Sequence, residues 1–128
     1  MRDVEVRGTS CSGRNLDNML CDRQINEGWY KAELDDKMLQ MPTVCPKLFS
    51  CGTIGSIWLN GKHPAKVNST LTIPVCRRGT VADESECCTD SFPIDVKHCG
   101  DFYAYRLTHT PTCYQAYCFG TNVCQMRS

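Results

Sequence analysis

Eleven cysteines are the residues of this 128-residue chain best equipped for chemistry: Cys11, Cys21, Cys45, Cys51, Cys76, Cys87, Cys88, Cys99, Cys113, Cys118 and Cys124. A cysteine can serve as a nucleophile, a metal ligand or half of a disulfide. Structural zinc calls for ligand pairs two to four residues apart, twice over. No Cys-x-x-Cys occurs here, and the nearest spacings run from Cys45 to Cys51 and from Cys113 to Cys118. His63, His98 and His109 are scattered and complete no ligand set. At about 9% of the residues, cysteine is as frequent as in disulfide scaffolds of small secreted proteins. Disulfides in an oxidising compartment are therefore expected, in preference to metal. The doublet Cys87-Cys88 cannot easily close on itself, because bridged Cα atoms want roughly 5.5 Å between them. It is expected to send two bridges in two directions, which makes the doublet a staple point within the cysteine-dense stretch from Cys87 to Cys118.

Other chemistries find little support. There is no Gly-x-Ser-x-Gly elbow, His-Glu-x-x-His helix or phosphate-cradling loop, so no catalytic residue, metal ligand or cofactor is assigned. Asp83, Glu84 and Glu86 lack the alternating ligands and turn glycine of a calcium loop and read as a solvated acidic loop. Arg77-Arg78 has the form of a dibasic processing site but reads as the start of that same charged surface loop. Fourteen basic and fourteen acidic residues cancel, which removes the attraction to nucleic acid or an anionic membrane. No apolar run approaches the roughly 20 residues of a membrane span. The charged start Met1-Arg2-Asp3 is no signal peptide, so a secretion signal is expected to lie outside the chain.

The elements that must position these cysteines are strands. Phe92–His98 and Phe102–Leu107 alternate with period two, setting Phe92, Ile94 and Val96 on one face and Tyr103, Tyr105 and Leu107 on another. Cys99-Gly100-Asp101 between them predicts an antiparallel hairpin. Gly28–Ala32 and Met38–Met41 flank the polar turn Glu33–Lys37 and suggest a second hairpin. Pro42 and Pro46 make the segment around Cys45 an edge or loop. Ser56–Leu59 is a short strand ended by the turn pair Asn60-Gly61, and Ser69–Val75 alternates with Leu71, Ile73 and Val75 on one side. Residues 1–20 read as a flexible arm, 21–124 as the folded module and 125–128 as a tail. Trp29 and Trp58 are assigned to the core, while Tyr103 and Tyr105 are left open between core and ligand surface. The fold class is all-β: a small disulfide-rich module of short antiparallel strands and long loops, with little helix.

These residues resemble a known family. Gly28-Trp29-Tyr30 seven residues after Cys21, Met41-Pro42-Thr43-Val44-Cys45, Cys51-Gly52-Thr53, Trp58–Pro64, the doublet Cys87-Cys88, Ile94–Cys99, Phe102–Leu107 and Ala116-Tyr117-Cys118 together are similar to the uromodulin-type cysteine-rich extracellular domain. The resemblance implies a core of eight cysteines, Cys45, Cys51, Cys76, Cys87, Cys88, Cys99, Cys113 and Cys118, extended to ten by Cys21 and Cys124. Cys11 is then the odd cysteine, free or linked to another molecule, with a disulfide-linked dimer as one outcome. It also implies a non-enzymatic display unit whose glycan is bound by lectins. Two family acceptor positions are lost: Asn60-Gly61-Lys62 lacks the hydroxyl residue of a sequon, and Tyr105-Arg106-Leu107-Thr108 lacks the asparagine. Asn68-Ser69-Thr70 is the remaining sequon, which makes Asn68 the expected N-glycosylation site. Asn60, Lys62, His63, Tyr103 and Tyr105 form the expected recognition surface.

The function expected is thus a secreted, non-catalytic recognition or glycan-display module with about five disulfides, partnered by an extracellular protein or lectin. A small secreted effector or toxin acting on a receptor or channel fits the same density of cysteine, as does an extracellular matrix component linked through Cys11.

Overall fold

Alternating residues that would each bury one side of a strand pair into short ladders joined by long loops. The computed structural model describes residues 1, 4–11, 19–80 and 84–120. Among them the strands are β1 (Gly28–Tyr30), β2 (Ala32–Leu34), β3 (Lys37–Leu39), β4 (Gly55–Leu59), β5 (Thr70–Arg77), β6 (Asp90–His98), β7 (Tyr103–Leu107) and β8 (Gln115–Tyr117). Helix among the described residues is limited to three-residue 3-10 turns at Val4–Val6, Asp22–Gln24 and Glu84–Glu86. The protein is an all-β, disulfide-rich module.

Six strands form one sheet in the order β1-β7-β6-β5-β4-β8. Its spine is the antiparallel β5–β6 ladder, in register from Thr70 opposite Lys97 to Arg77 opposite Asp90. Pro74 sits opposite Pro93 in the middle of this ladder. Directly opposed prolines occupy a pair whose amides would point outward, toward β4 and β7. The ladders with those neighbours stop just short of it, at Leu59 opposite Val75 and Arg106 opposite Asp95, and the Asn60 N–H that still reaches Pro74 uses its carbonyl. The missing N–H groups therefore break no ladder bond. The β6–β7 hairpin turns through Cys99–Asp101, where Gly100 takes φ 86°. Only β8 runs parallel to its neighbour, β4.

The second hairpin differs from expectation. Gly28–Tyr30 leaves it to pair with β7 at the sheet edge, and the hairpin itself is β2–β3, closed by Asp35 and Asp36 at φ 52° and 64°. Two successive positive φ angles give a turn whose twist matches the flanking strands, and aspartate tolerates that conformation better than most residues.

One face of the sheet is covered by the loops and by the chain's beginning. Ile57, Leu59, Ile73, Val75, Ile94, Val96, Tyr105 and Leu107 meet Val4, Ala32, Met41, Tyr117 and Phe119 there. The described part of the expected arm is thus built into the module. Val4 and Arg7 are 5% and 3% exposed, and the main chain is stitched by Thr9 N–H to Gly120 O at 3.2 Å and Phe119 N–H to Arg7 O at 3.0 Å. Arg7 explains why a polar segment packs inside: its guanidinium donates to both Asp22 oxygens at 2.7 and 2.8 Å and to Tyr117 O at 3.1 Å. Asp22 in turn accepts the Tyr117 N–H at 2.9 Å. A polar residue enters a core when its charge and hydrogen bonds are met there, which hydropathy alone does not register.

Candidate functional site

Among the described residues four bridges join distant segments, Cys21–Cys113, Cys45–Cys87, Cys51–Cys118 and Cys76–Cys88, with Cys76 in β5. Cys87 and Cys88 part company, one reaching back to the β3–β4 connection and the other to β5. These eight sulfurs are oxidised in pairs and do not serve as metal ligands.

The odd cysteine is Cys99, not Cys11. Cys99 is a half-buried free thiol in the β6–β7 turn, whereas Cys11 is 3% exposed and disulfide-bonded. The reason lies in the packing of residues 4–11. The Gly8 and Cys11 carbonyls accept the N–H groups of Cys51 and Gly52, placing Cys11 inside the loop frame, while Cys99 is carried outward on a hairpin tip. Cys11, bridged in this structure, is not the cysteine left over for a link to another molecule. Cys124 lies outside the described residues, as do Asp83 and the 125–128 tail.

The residues expected to recognise a partner come together only in part. After β4 the chain runs through Asn60–Pro64 beside the middle of β5, with Asn60 N–H donating to Pro74 O at 2.9 Å. Gly61 is required there, since a Cβ would approach the Ile73 side chain to 2.7 Å. Asn60 and Lys62 are exposed, and His63 turns inward. Its ring lies 4.5 Å from that of Tyr103, and Nε2 is 2.8 Å from the Tyr105 hydroxyl. Tyr103 is in turn 4.9 Å from His98, ring centre to ring centre.

Tyr105 itself is fully buried and belongs to the core, which corrects its place on the recognition surface. Its hydroxyl oxygen accepts the Met41 N–H at 3.1 Å. An amide cannot take the phenolic proton, so that proton goes to His63 Nε2, and His63 is neutral with its hydrogen on Nδ1. Burial lowers the His63 pKa from its ordinary value by penalising the charged ring, and burial raises that of Tyr105. The cluster is a structural clamp on the Asn60–Pro64 loop. His63 also borders a shallow depression of about 410 Å³, walled by Met38–Val44 and Gly120.

Asn68 occupies an exposed turn at φ 70°, held by its N–H to His98 O at 2.8 Å and by His98 N–H to Ser69 O at 3.0 Å. The sequon therefore shares one end of the sheet with the Cys99 turn.

Two tryptophans separate. Trp58 is core at 8% exposure, with Nε1 donating to Cys87 O at 2.8 Å. Trp29, also assigned to the core, is 49% exposed. It lies in one cross-strand row with Arg106, Asp95 and Thr72 on the solvated face of the sheet. Thr72 Oγ1 donates to Asp95 Oδ1 at 2.7 Å, and Arg106 reaches Glu27 at 3.6 Å. Trp29 alternates with Gly28 and Tyr30, and only the register shows which side faces water. Arg77-Arg78 is likewise no exposed loop: Arg77 ends β5 paired with Asp90, and Arg78 is 7% exposed beside the Cys45–Cys87 bridge. Among the described residues no helix is long and apolar enough to cross a membrane.

This frame has counterparts in known proteins. A family model described as a uromodulin-like domain matches residues 30–119. The chain is similar to pancreatic secretory granule membrane major glycoprotein GP2 of Canis lupus familiaris, 32% identical over 102 residues that make up 79% of this chain and 19% of that protein. It is 34% identical to uromodulin of Rattus norvegicus over 99 residues, 77% of this chain and 14% of that protein. The chain thus spans less than a fifth of the length of these relatives. With the matched region running from β1 past β8 and carrying three of the four bridges whole, the chain belongs to the uromodulin-like family of cysteine-rich domains.

Proposed function

We propose that this chain is a secreted, non-catalytic extracellular module that presents an N-linked glycan at Asn68 to a lectin or other extracellular protein. The observation carrying the reading is the placement of Asn68 on an exposed turn fixed by main-chain bonds to the end of β6. An acceptor anchored in this way attaches a sugar to a fixed point of the module's surface. Relatives that are glycoproteins by name support the class. In this reading about five bridges hold the frame, the four between described cysteines and one that includes Cys11. The module takes in 21–124, with residues 4–11 built onto it.

The test is expression in a secreting eukaryotic cell, with intact mass before and after glycosidase treatment for wild type and Asn68→Gln, and lectin binding for both. A mass shift and lectin retention lost together in Asn68→Gln support display. Secreted, fully oxidised protein with a bare Asn68 would move the reading to direct protein recognition. For that second reading the specific observation is the exposed row Trp29–Arg106–Asp95–Thr72, an aromatic ring beside polar groups on a rigid face.

A further inference from the structure

The Cys45–Cys87 bridge has a cation at both of its sulfurs. Arg78 Nη1 lies 3.0 Å from Cys45 Sγ and 3.1 Å from Cys87 Sγ. Arg78 directly follows β5, and its N–H donates to Ser56 O at 2.9 Å, so the guanidinium is delivered from a fixed strand end. Among the described residues, the side-chain groups at other bridge sulfurs are neutral: Asn60 at Cys76 and Ser50 at Cys51.

A disulfide sulfur is a neutral, weak acceptor, whereas a thiolate is a full anion. The guanidinium therefore stabilises the opened bridge far more than the closed one. A nearby cation lowers the thiol pKa, and a leaving thiol of lower pKa departs faster. Access is adequate, since Cys45 and Cys87 are both half-buried while Cys51, Cys76 and Cys118 are fully buried. Exposure alone does not single out this bridge, because Cys88 and Cys113 are exposed too. The cation does.

We infer that Cys45–Cys87 is a thiol–disulfide exchange site that opens to a low-molecular-mass thiol ahead of the chain's other bridges. A thiolate RS⁻ bonds to one sulfur as the Cys45–Cys87 bond breaks, and the electron pair leaves on the other sulfur as a thiolate beside Arg78. A second RS⁻ attacks the mixed disulfide, forming RSSR and releasing the first cysteine as a thiolate. Two thiols are oxidised and one bridge is reduced. Opening removes the tether on the segment between Pro42, held by Leu59 N–H at 2.9 Å, and Ser50, held by the Ser56 hydroxyl at 2.7 Å. That segment borders the His63 depression at Thr43 and Val44.

The test equilibrates the oxidised protein in graded ratios of reduced to oxidised glutathione, quenches with acid, alkylates free thiols and maps them by mass spectrometry. Cys99, already free, serves as the labelling control. Cys45 and Cys87 are expected to label at a thiol ratio at least about tenfold lower than any other bridged pair, equivalent to about 30 mV for this two-electron couple. Opening of this pair together with or after the others in wild type overturns the inference, whether or not any variant folds. Arg78→Met is expected to slow exchange about tenfold at this bridge alone, and Arg78→Lys to retain most of the rate. A folded Arg78→Met that exchanges here at the wild-type rate, or faster at every bridge, assigns Arg78 a packing role and overturns the proposal.

Discussion

Replacing Asp22 with asparagine tests whether the chain's beginning is part of the module. The carboxylate takes two hydrogen bonds from Arg7, at 2.7 and 2.8 Å, and one from the Tyr117 amide at 2.9 Å, with both charged side chains 6% exposed or less. Asparagine keeps an oxygen for Tyr117 but leaves the Arg7 cation in the core without its carboxylate. Removing one partner of a buried pair costs about 3–5 kcal/mol, because the other charge stays desolvated. For a domain of this size that is a fall in melting temperature of roughly 10 °C or more. Arg7→Met should cost a similar amount by stranding the carboxylate, although the Tyr117 amide still serves it. The double variant should fall short of the summed costs by about 1–3 kcal/mol, since neither charge remains. Urea denaturation of the oxidised proteins, monitored by tryptophan fluorescence, reads all four corners of the cycle. A cost below about 1 kcal/mol for Asp22→Asn, or simple additivity, would refute the argument that residues 4–11 are held through this pair.

Protonating His63 requires its Nε2 to give up the Tyr105 proton in a site where burial has lowered the ring's pKa. The unfolded chain binds that proton near pH 6.5 and the folded chain only below it, so His63 contributes no penalty above about 6.5. Stability is then lost as pH falls from there through the folded value. Melting curves across that window should show the loss in wild type and a weaker one in His63→Gln. Trp29→Ala should change stability by less than about 1 kcal/mol and Trp58→Ala by about 3–5 kcal/mol, and equal costs would return Trp29 to the core. Cys99→Ser should leave both the melting temperature and non-reducing gel mobility unchanged. Cys11→Ser should create a new free thiol and cost about 2–4 kcal/mol; a Cys11→Ser protein with wild-type stability and thiol count would contradict its bridge.

The strands were legible because period-two alternation is local. Phe92, Ile94 and Val96 on one strand and Tyr103, Tyr105 and Leu107 on the next needed only a short glycine-containing turn to pair, and they do. The all-β class and the dependence on disulfides follow from the same local facts plus the number of cysteines. So does the divergence of Cys87 and Cys88, since bond geometry forbids neighbours from closing easily. Exposure was less legible where alternation carried aromatics on both faces. Trp29 and Tyr30 compete for the inner side, and register against Arg106 and Tyr105 settles it.

What the sequence by itself determined, then, is the all-β class with β4 to β7, the dependence on disulfides and the surviving sequon at Asn68, while β8 and the partner of β1 were not legible in it. Which cysteine is odd, which arginine is buried and which tyrosine can meet a partner were decided by tertiary structure. Each depends on distances between residues far apart in the chain, such as Arg7 and Asp22, 15 positions apart, or Met41 and Tyr105, 64 apart. A charge or thiol has the same local pattern in a loop as in a core. It becomes a core group only when another segment brings the partner that offsets its desolvation.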